Sequence, residues 1–419
     1  MAAVHHTVEL GLNACGVECC PHAEHRDLVA VASYLHQPGD DDEPQSRVGQ
    51  LYLYALAPGR EDAAAQETAA ASPLAREWSF APVAPPLETR AIFELRWAPS
   101  AWTDPSGPVL AQADAGGFLT LYRVHRDGAD EADGDDGGHG DDRGHGDDRG
   151  HGDDGTRRSR ASAREMTRLA CGGGGLGMTT CVDWNPSVSS AFGDAALATV
   201  GADGGLRVVA ARESGELDVT AEADAAHDLE AWAVAFALDE GGRVVATGAD
   251  DAAFKGWDVR SGLDAPVFVN RRAHAAGVTC VAPSPHDARV IATGSYDDRV
   301  RLWDVRNLAR PTETCAAADC GGGAWRLRWH PSERRVAVAA MGGGVSVLDW
   351  TGRRETATND EGDGEMVRGE WIASRVYEGH GSIAYGADWG RRGGGEEDVV
   401  VSCSFYDKNL HVWSPRVVR

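Results

Sequence analysis

The chain has no run of 18 or more apolar residues, so it offers no membrane-crossing helix. It also lacks a GxSxG elbow, an HExxH pair, a P-loop and any CxxC pair, which removes the common signatures of serine-hydrolase, zinc-peptidase, nucleotide-hydrolysing and dithiol chemistry. Basic residues are scarce: 40 Lys and Arg stand against 65 Asp and Glu, a net charge of −25. Such a chain repels phosphate backbones, so direct nucleic-acid binding and anionic-membrane binding are disfavoured. The amino-terminal MAAVHHTVELGL has neither a basic segment nor a long apolar stretch, and no secretory leader is expected. Nine cysteines, an odd number, suit a reducing compartment better than a disulfide framework, and a cytoplasmic location is expected.

What is present is rich in glycine and tryptophan. The 419 residues include 52 Gly and 13 Trp beside eight Tyr and eight Phe, with 42% apolar and 25% charged residues, a globular mixture. Short β-rich runs alternate with Gly/Asp turns, and the runs repeat. Ala246-Thr247-Gly248-Ala249-Asp250-Asp251 leads to Lys255-Gly256-Trp257-Asp258, and Ala292-Thr293-Gly294-Ser295-Tyr296-Asp297 leads to Arg301-Leu302-Trp303-Asp304, offset by 46 residues. That period with a terminal Trp-Asp is the signature of a four-stranded propeller blade. Weaker copies end at Val209 and Trp413. Innermost strands are expected near 17–20, 92–97, 179–184, 232–236, 278–281, 325–329 and 383–389. The reading is an all-β, seven-bladed WD-repeat β-propeller spanning 1–419. Its last blade would take its fourth strand from His6–Leu10, which removes an open sheet edge.

Several stretches stand apart. Asp127–Gly155 holds twelve acidic and two basic residues in GHGDDR repeats and has almost no apolar content. It cannot offset its ordering entropy, so 127–165 is expected as a disordered insertion. The alternative is metal binding through His139, His145 and His151. Residues 356–369 are expected as a flexible loop, and 37–47 and 58–72 resemble it in composition. Cys171–Gly177 satisfies GxGxxG but leads into a strand, so it lacks the helix that would cradle phosphate. His22-Ala23-Glu24-His25 reads as a solvated turn rather than a metal site, and Cys19-Cys20 and Cys315/Cys320 lack zinc-ligand spacing.

Asp251, Asp297 and Asp407 each lie six residues before a terminal Trp, with Asp203 in the matching place. His227, His274 and His380 precede those tryptophans by some thirty residues. This arrangement resembles the buried Asp–His–Ser/Thr–Trp network of WD repeats. That structural reading is preferred over a catalytic one.

More specific strings occur late in the chain: Lys255–Asp258, Ala292–Asp297, Gly322-Gly323-Ala324-Trp325-Arg326-Leu327-Arg328-Trp329-His330-Pro331, Ile383-Ala384-Tyr385-Gly386-Ala387-Asp388-Trp389 and Cys403-Ser404-Phe405-Tyr406-Asp407. In this order they resemble the diphthine methyltransferase family of WD-repeat proteins. The likeness is strongest over 246–413, with Val17-Glu18-Cys19-Cys20-Pro21 similar to the family's first strand. It implies hydrolysis of the methyl ester of methylated diphthine on translation elongation factor 2, the step before amidation, with no cofactor. The modified residue's trimethylammonio group would suit an acidic or aromatic surface. The partner implied is elongation factor 2, and a monomer is expected.

Ester hydrolysis needs an activated water or nucleophile, a base and donors for the oxyanion. Tyr296, Tyr385 and Tyr406 are candidate oxyanion donors, and Arg326 is a candidate for holding an anionic group. His274 or His380 would be the base, in competition with their blade-network role. Ser404 or Cys403 would be the nucleophile, although both fall within a strand. The competing reading is a non-catalytic WD-repeat adaptor, because the fold alone does not choose. True methyl transfer finds no cofactor-binding helical motif.

Overall fold

The computed structural model describes residues 2–38, 46–58, 78–101, 106–126, 160–172, 177–187, 193–212, 215–237, 242–359, 362–390 and 398–415. His139, His145, His151 and most of the acidic insertion lie outside these residues, as do 173–176 of the glycine-rich string.

Seven antiparallel sheets are arranged as blades, each continuing outward from an innermost strand. These innermost strands are Asn13–Cys19, Ile92–Trp97, Thr179–Trp184, Ala231–Phe236, Val278–Pro283, Arg326–Trp329 and Ala384–Trp389. In the seventh blade, Ala3–Glu9 pairs with Asn409–Ser414, so the two ends of the chain share one sheet. The apolar core lies between blades and is dominated by alternating valine, alanine and leucine. Its largest fully buried side chains are Trp303, Trp389 and Trp413.

Two features follow from local sequence. Between second and third strands, an Asp closes the turn by accepting a backbone N–H two residues on: Asp251 from Ala253 at 3.0 Å, Asp297 from Arg299 at 3.1 Å and Asp203 from Gly205 at 3.0 Å. The residue just after the Asp is left-handed, with φ of 57° at Ala252, 63° at Asp298 and 59° at Lys408, and in the third blade Gly204 takes that place at 73°. At the other end of the innermost strands, a Trp indole donates to the preceding blade. Trp97 Nε1 reaches Glu18 O at 3.1 Å, Trp184 reaches Arg96 O at 2.9 Å, Trp329 reaches Ala282 O at 3.0 Å and Trp389 reaches Arg328 O at 2.9 Å.

Two expectations change. Residues 161–165, read as part of the insertion, belong to the outer strand Ala161–Ala170, which pairs along its length with Phe118–Arg126, with one register shift between Glu165 and Thr167. Their charged composition belongs to the outer strand of a blade, where one face meets solvent. Within 356–369, read as a flexible loop, 356–359 and 362–368 belong to the strands Arg353–Asn359 and Gly362–Arg368, which pair with each other antiparallel. Backbone pairing gives this polar, glycine-containing segment a strand ladder that composition does not reveal. The hairpin stands outside its blade, because Trp371–Tyr377 pairs directly with Val345–Trp350.

Candidate active site at the aromatic channel mouth

All seven innermost strands point the same way along a central channel, so their first residues meet at one mouth and their last residues at the other. At the first mouth the strands present Phe93, Trp232, Tyr385 and, one residue before its strand, Trp325. Tyr34 from the first blade and Phe405 from a turn of the seventh complete a circuit. Consecutive ring centroids are 5.8 Å apart for Tyr34–Phe93, 6.3 Å for Phe93–Trp232 and 5.7 Å for Trp232–Trp325. The circuit closes through Trp325–Tyr385 at 5.1 Å, Tyr385–Phe405 at 4.9 Å and Phe405–Tyr34 at 5.0 Å. Tyr296 packs on Trp325 from outside at 5.9 Å, and Tyr406 stands edge-on to Phe405 at 5.0 Å with 71% of its surface exposed.

Below the rings the channel is filled by charge. Glu94 receives Arg326 Nη2 at 2.7 Å, Arg328 Nη2 at 3.1 Å and Arg96 Nη2 at 3.5 Å. Burial raises the pKa of Glu94, but the three guanidiniums outweigh it and hold the carboxyl below its usual range. Arg326 also donates to the carbonyls of Phe93 at 3.0 Å and Trp325 at 3.1 Å, and its guanidinium lies 4.9 Å from the centre of the Trp325 ring. Its charge is therefore matched inside the protein by Glu94, not held out to a partner's anion.

The candidates thus divide. Tyr296, Tyr385, Arg326 and Tyr406 come together at this mouth. Burial raises both the Tyr296 and Tyr385 phenols, Tyr385 to about 12, so at neutral pH both keep a proton that can be donated in a hydrogen bond. Asp250 flanks Tyr296 across Gly277. A Cβ on that glycine would sit 2.5 Å from Asp250 Oδ1 and 3.3 Å from the Tyr296 ring, so only glycine lets the two approach.

His274 and His380 are held within their blades. Arg301 donates to His274 Nδ1 at 3.1 Å, so its Nε2–H faces Thr293 Oγ1 at 3.1 Å, and Trp303 Nε1 donates to the same oxygen at 2.8 Å. In this blade Arg301 stands between Asp297 and the histidine. In the seventh blade Ser404 donates to Asp407 and accepts from His380 Nδ1 at 2.7 Å. His380 Nε2 meets Ser402 Oγ at 2.8 Å, which also takes Trp413 Nε1 at 3.0 Å. Burial lowers His274 to about 4, helped by Arg301, and His380 to about 3, helped by His411. Neither ring is a base of ordinary strength. The Ser404 hydroxyl proton is committed to Asp407, and burial raises the Cys403 thiol to about 12, so neither is an activated nucleophile.

Sequence reasoning passed over Tyr34, Phe93, Trp232 and Glu94. The signal was alignment of the innermost strands. Phe93-Glu94-Leu95-Arg96-Trp97, Trp325-Arg326-Leu327-Arg328-Trp329, Tyr385-Gly386-Ala387-Asp388-Trp389 and Trp232-Ala233-Val234-Ala235-Phe236 each carry an aromatic four residues before the closing aromatic.

Comparison with known proteins agrees with this architecture. The family model described as WD domain, G-beta repeat, matches residues 267–304. A chain from a crystal structure of the mitotic checkpoint complex superposes with a TM-score of 0.56 at 15% identity, covering 98% of this chain and 91% of that one, a likeness of fold alone. By sequence the chain is 28% identical over 393 residues to mouse diphthine methyltransferase, covering 91% of this chain and 68% of that protein. It is 26% identical to the human protein of that name, covering 91% and 74%, and 32% identical to the homologue from Dictyostelium discoideum, covering 45% and 51%. The chain is a WD-repeat propeller and, by sequence, a relative of the diphthine methyltransferases.

Proposed function

We propose that the chain hydrolyses the methyl ester of methylated diphthine on translation elongation factor 2, with the aromatic mouth as its active site. The carrying observation is the six-ring circuit over the Arg326–Glu94 pair. Six aromatic side chains gathered at one mouth, with neighbouring ring centroids 4.9 to 6.3 Å apart, suit a trimethylammonio group, which is attracted by cation–π interaction within ~6 Å of a ring. In the reaction a water oxygen adds to the ester carbonyl carbon, the carbon–methoxy bond breaks, and the methoxy group leaves as methanol after taking a proton. Asp250 accepts the water's proton and passes it on, while the Tyr296 and Tyr385 hydroxyls donate to the oxyanion. The substrate is a folded protein of the translation apparatus, which places the enzyme in the cytoplasm and calls for a broad docking face around the mouth.

The test is methanol release from elongation factor 2 carrying the esterified residue. Unaltered protein is expected to release methanol, and Tyr385→Phe, Tyr296→Phe and Asp250→Asn are each expected to slow release by about 10²-fold or more, the usual cost of losing one oxyanion donor or the general base. Full rates in all three folded variants would move the reaction elsewhere. One observation favours the second reading, a non-catalytic adaptor: both candidate histidines are locked in blade networks. Binding of the esterified factor with no methanol released would decide for it.

A further inference from the structure

The opposite mouth of the channel holds a second recess, separated from the aromatic mouth by the buried layer of Glu94 and its arginines, which the two share. It is a cavity of about 350 Å³, at the lower end of the ~300–1,000 Å³ typical of ligand sites. Its rim includes Pro99, Pro186, Pro283, Pro285 and Pro331, one or two from each of four blades. Proline at or past a strand end has a fixed φ and no N–H to satisfy, so this collar is stiff and apolar.

The lining of the recess is charged. Glu18 and Asp183 come from the innermost strands of the first and third blades, with Arg96 between them. Each carboxylate uses one oxygen to hold the next blade: Glu18 Oε2 accepts from Trp97 N at 3.1 Å and Asp183 Oδ2 from Phe236 N at 2.9 Å. Their other oxygens reach Arg96 only at 3.8 Å, beyond hydrogen-bond distance, while Arg96 leans to Glu94 at 3.5 Å. Asp388 adds a fourth carboxylate beside Glu18, so with Glu18, Glu94, Asp183 and Asp388 all ionised the carboxylates outnumber the guanidiniums of Arg96, Arg326 and Arg328 by one, a state reached only above the raised pKa of Glu18.

We propose that this proline-collared mouth binds the cationic side chain of a basic peptide segment of a partner protein. The charged head would approach the Glu18 and Asp183 carboxylates from the open side of the recess, beyond Arg96, and the alkyl stem would lie against the collar. The incoming cation supplies the missing positive charge, and Arg96 remains with Glu94.

The proposal predicts proton linkage. Burial raises Glu18 to about 8, with Asp388 and Glu94 adding to the rise and Arg96 and Arg328 opposing it. Asp183 is raised to about 6, mainly by burial and against Arg96. A bound cation favours the ionised carboxylate, so binding expels a proton and tightens as pH rises toward 8, then levels off.

The experiment is calorimetric titration of the intact protein with a pentapeptide carrying a central arginine, against the same peptide carrying neutral citrulline. At pH 8.5 the arginine peptide is expected to bind at least tenfold more tightly, and to lose about tenfold on going to pH 6.5. Glu18→Gln keeps an oxygen for the Trp97 amide and is expected to abolish most of the pH dependence, while Asp183→Asn weakens binding about tenfold. Equal binding of the two peptides, a pH-independent affinity of the unaltered protein, or full affinity in both folded variants would overturn the proposal. The pH titration needs no variant, so it decides even if one fails to fold.

Discussion

Thr247, Thr293 and Ser402 hold the same place in three blades, and each takes the indole N–H of the blade's Trp and faces a histidine. Replacing Thr293 by Val keeps shape but leaves the Trp303 N–H and the His274 ring without their partner. Burying unpaired donors costs about 1–3 kcal/mol, so urea denaturation should show that loss while methanol release from the surviving fold is unchanged. His274 and His380 also give a pH signature. Their folded pKa values, about 4 and about 3, lie below the ordinary value near 6.5, so their contribution is complete above roughly pH 6.5 and is lost as pH falls toward 4. Glu18 and Asp183, raised by burial, act with the opposite sign, so the informative quantity is a difference. The stability gap between unaltered protein and His274→Gln should shrink on acidification from pH 7 to 5, and a widening gap would contradict the assignment. Ala252 is a third residue-scale case. It occupies a left-handed backbone position that glycine adopts freely, so Ala252→Gly should raise the midpoint of unfolding by the equivalent of about 0.5–1 kcal/mol.

At the scale of elements, alternation and turn chemistry made the innermost strands legible, because Gly/Asp turns and a closing Trp are local signals. The outer strands were harder. Ala161–Ala170 and the hairpin at 353–368 owe their strand geometry to backbone pairing with neighbours, and their composition does not announce it. The pairing also says what is dispensable. Arg126 and Ala161 sit opposite each other in the ladder, so the excursion between them begins and ends at adjacent positions. Replacing 127–159 by a short turn should leave the melting temperature within a few degrees and methanol release intact. A large drop in either would assign the acidic segment a part in the fold or the site.

For the whole molecule, the decisive contact is between sequence positions farthest apart. Ala3–Glu9 forms a six-pair ladder with Asn409–Ser414 and completes the seventh sheet. Deleting residues 1–10 would leave that sheet with an exposed edge and an open ring. The expected outcome is loss of cooperative unfolding and a shift to aggregates in size-exclusion chromatography, and a monomeric, cooperatively folding truncation would refute it.

The sequence alone determined the blade: its four-strand period, its Asp turn, its Trp and the histidine network follow from contacts within some fifty residues, which local patterning encodes. It also determined that His274 and His380 were contested between network and catalysis. Tertiary structure decided that contest by surrounding both rings with fixed partners. It decided too that Tyr34, Phe93, Trp232, Trp325, Tyr385 and Phe405, spread over the length of the chain, become one circuit, and that Glu94 becomes the counter-charge of three arginines. The reason is geometric: ring closure turns equal positions on separate strands into neighbours across a channel, a relation that no local period contains.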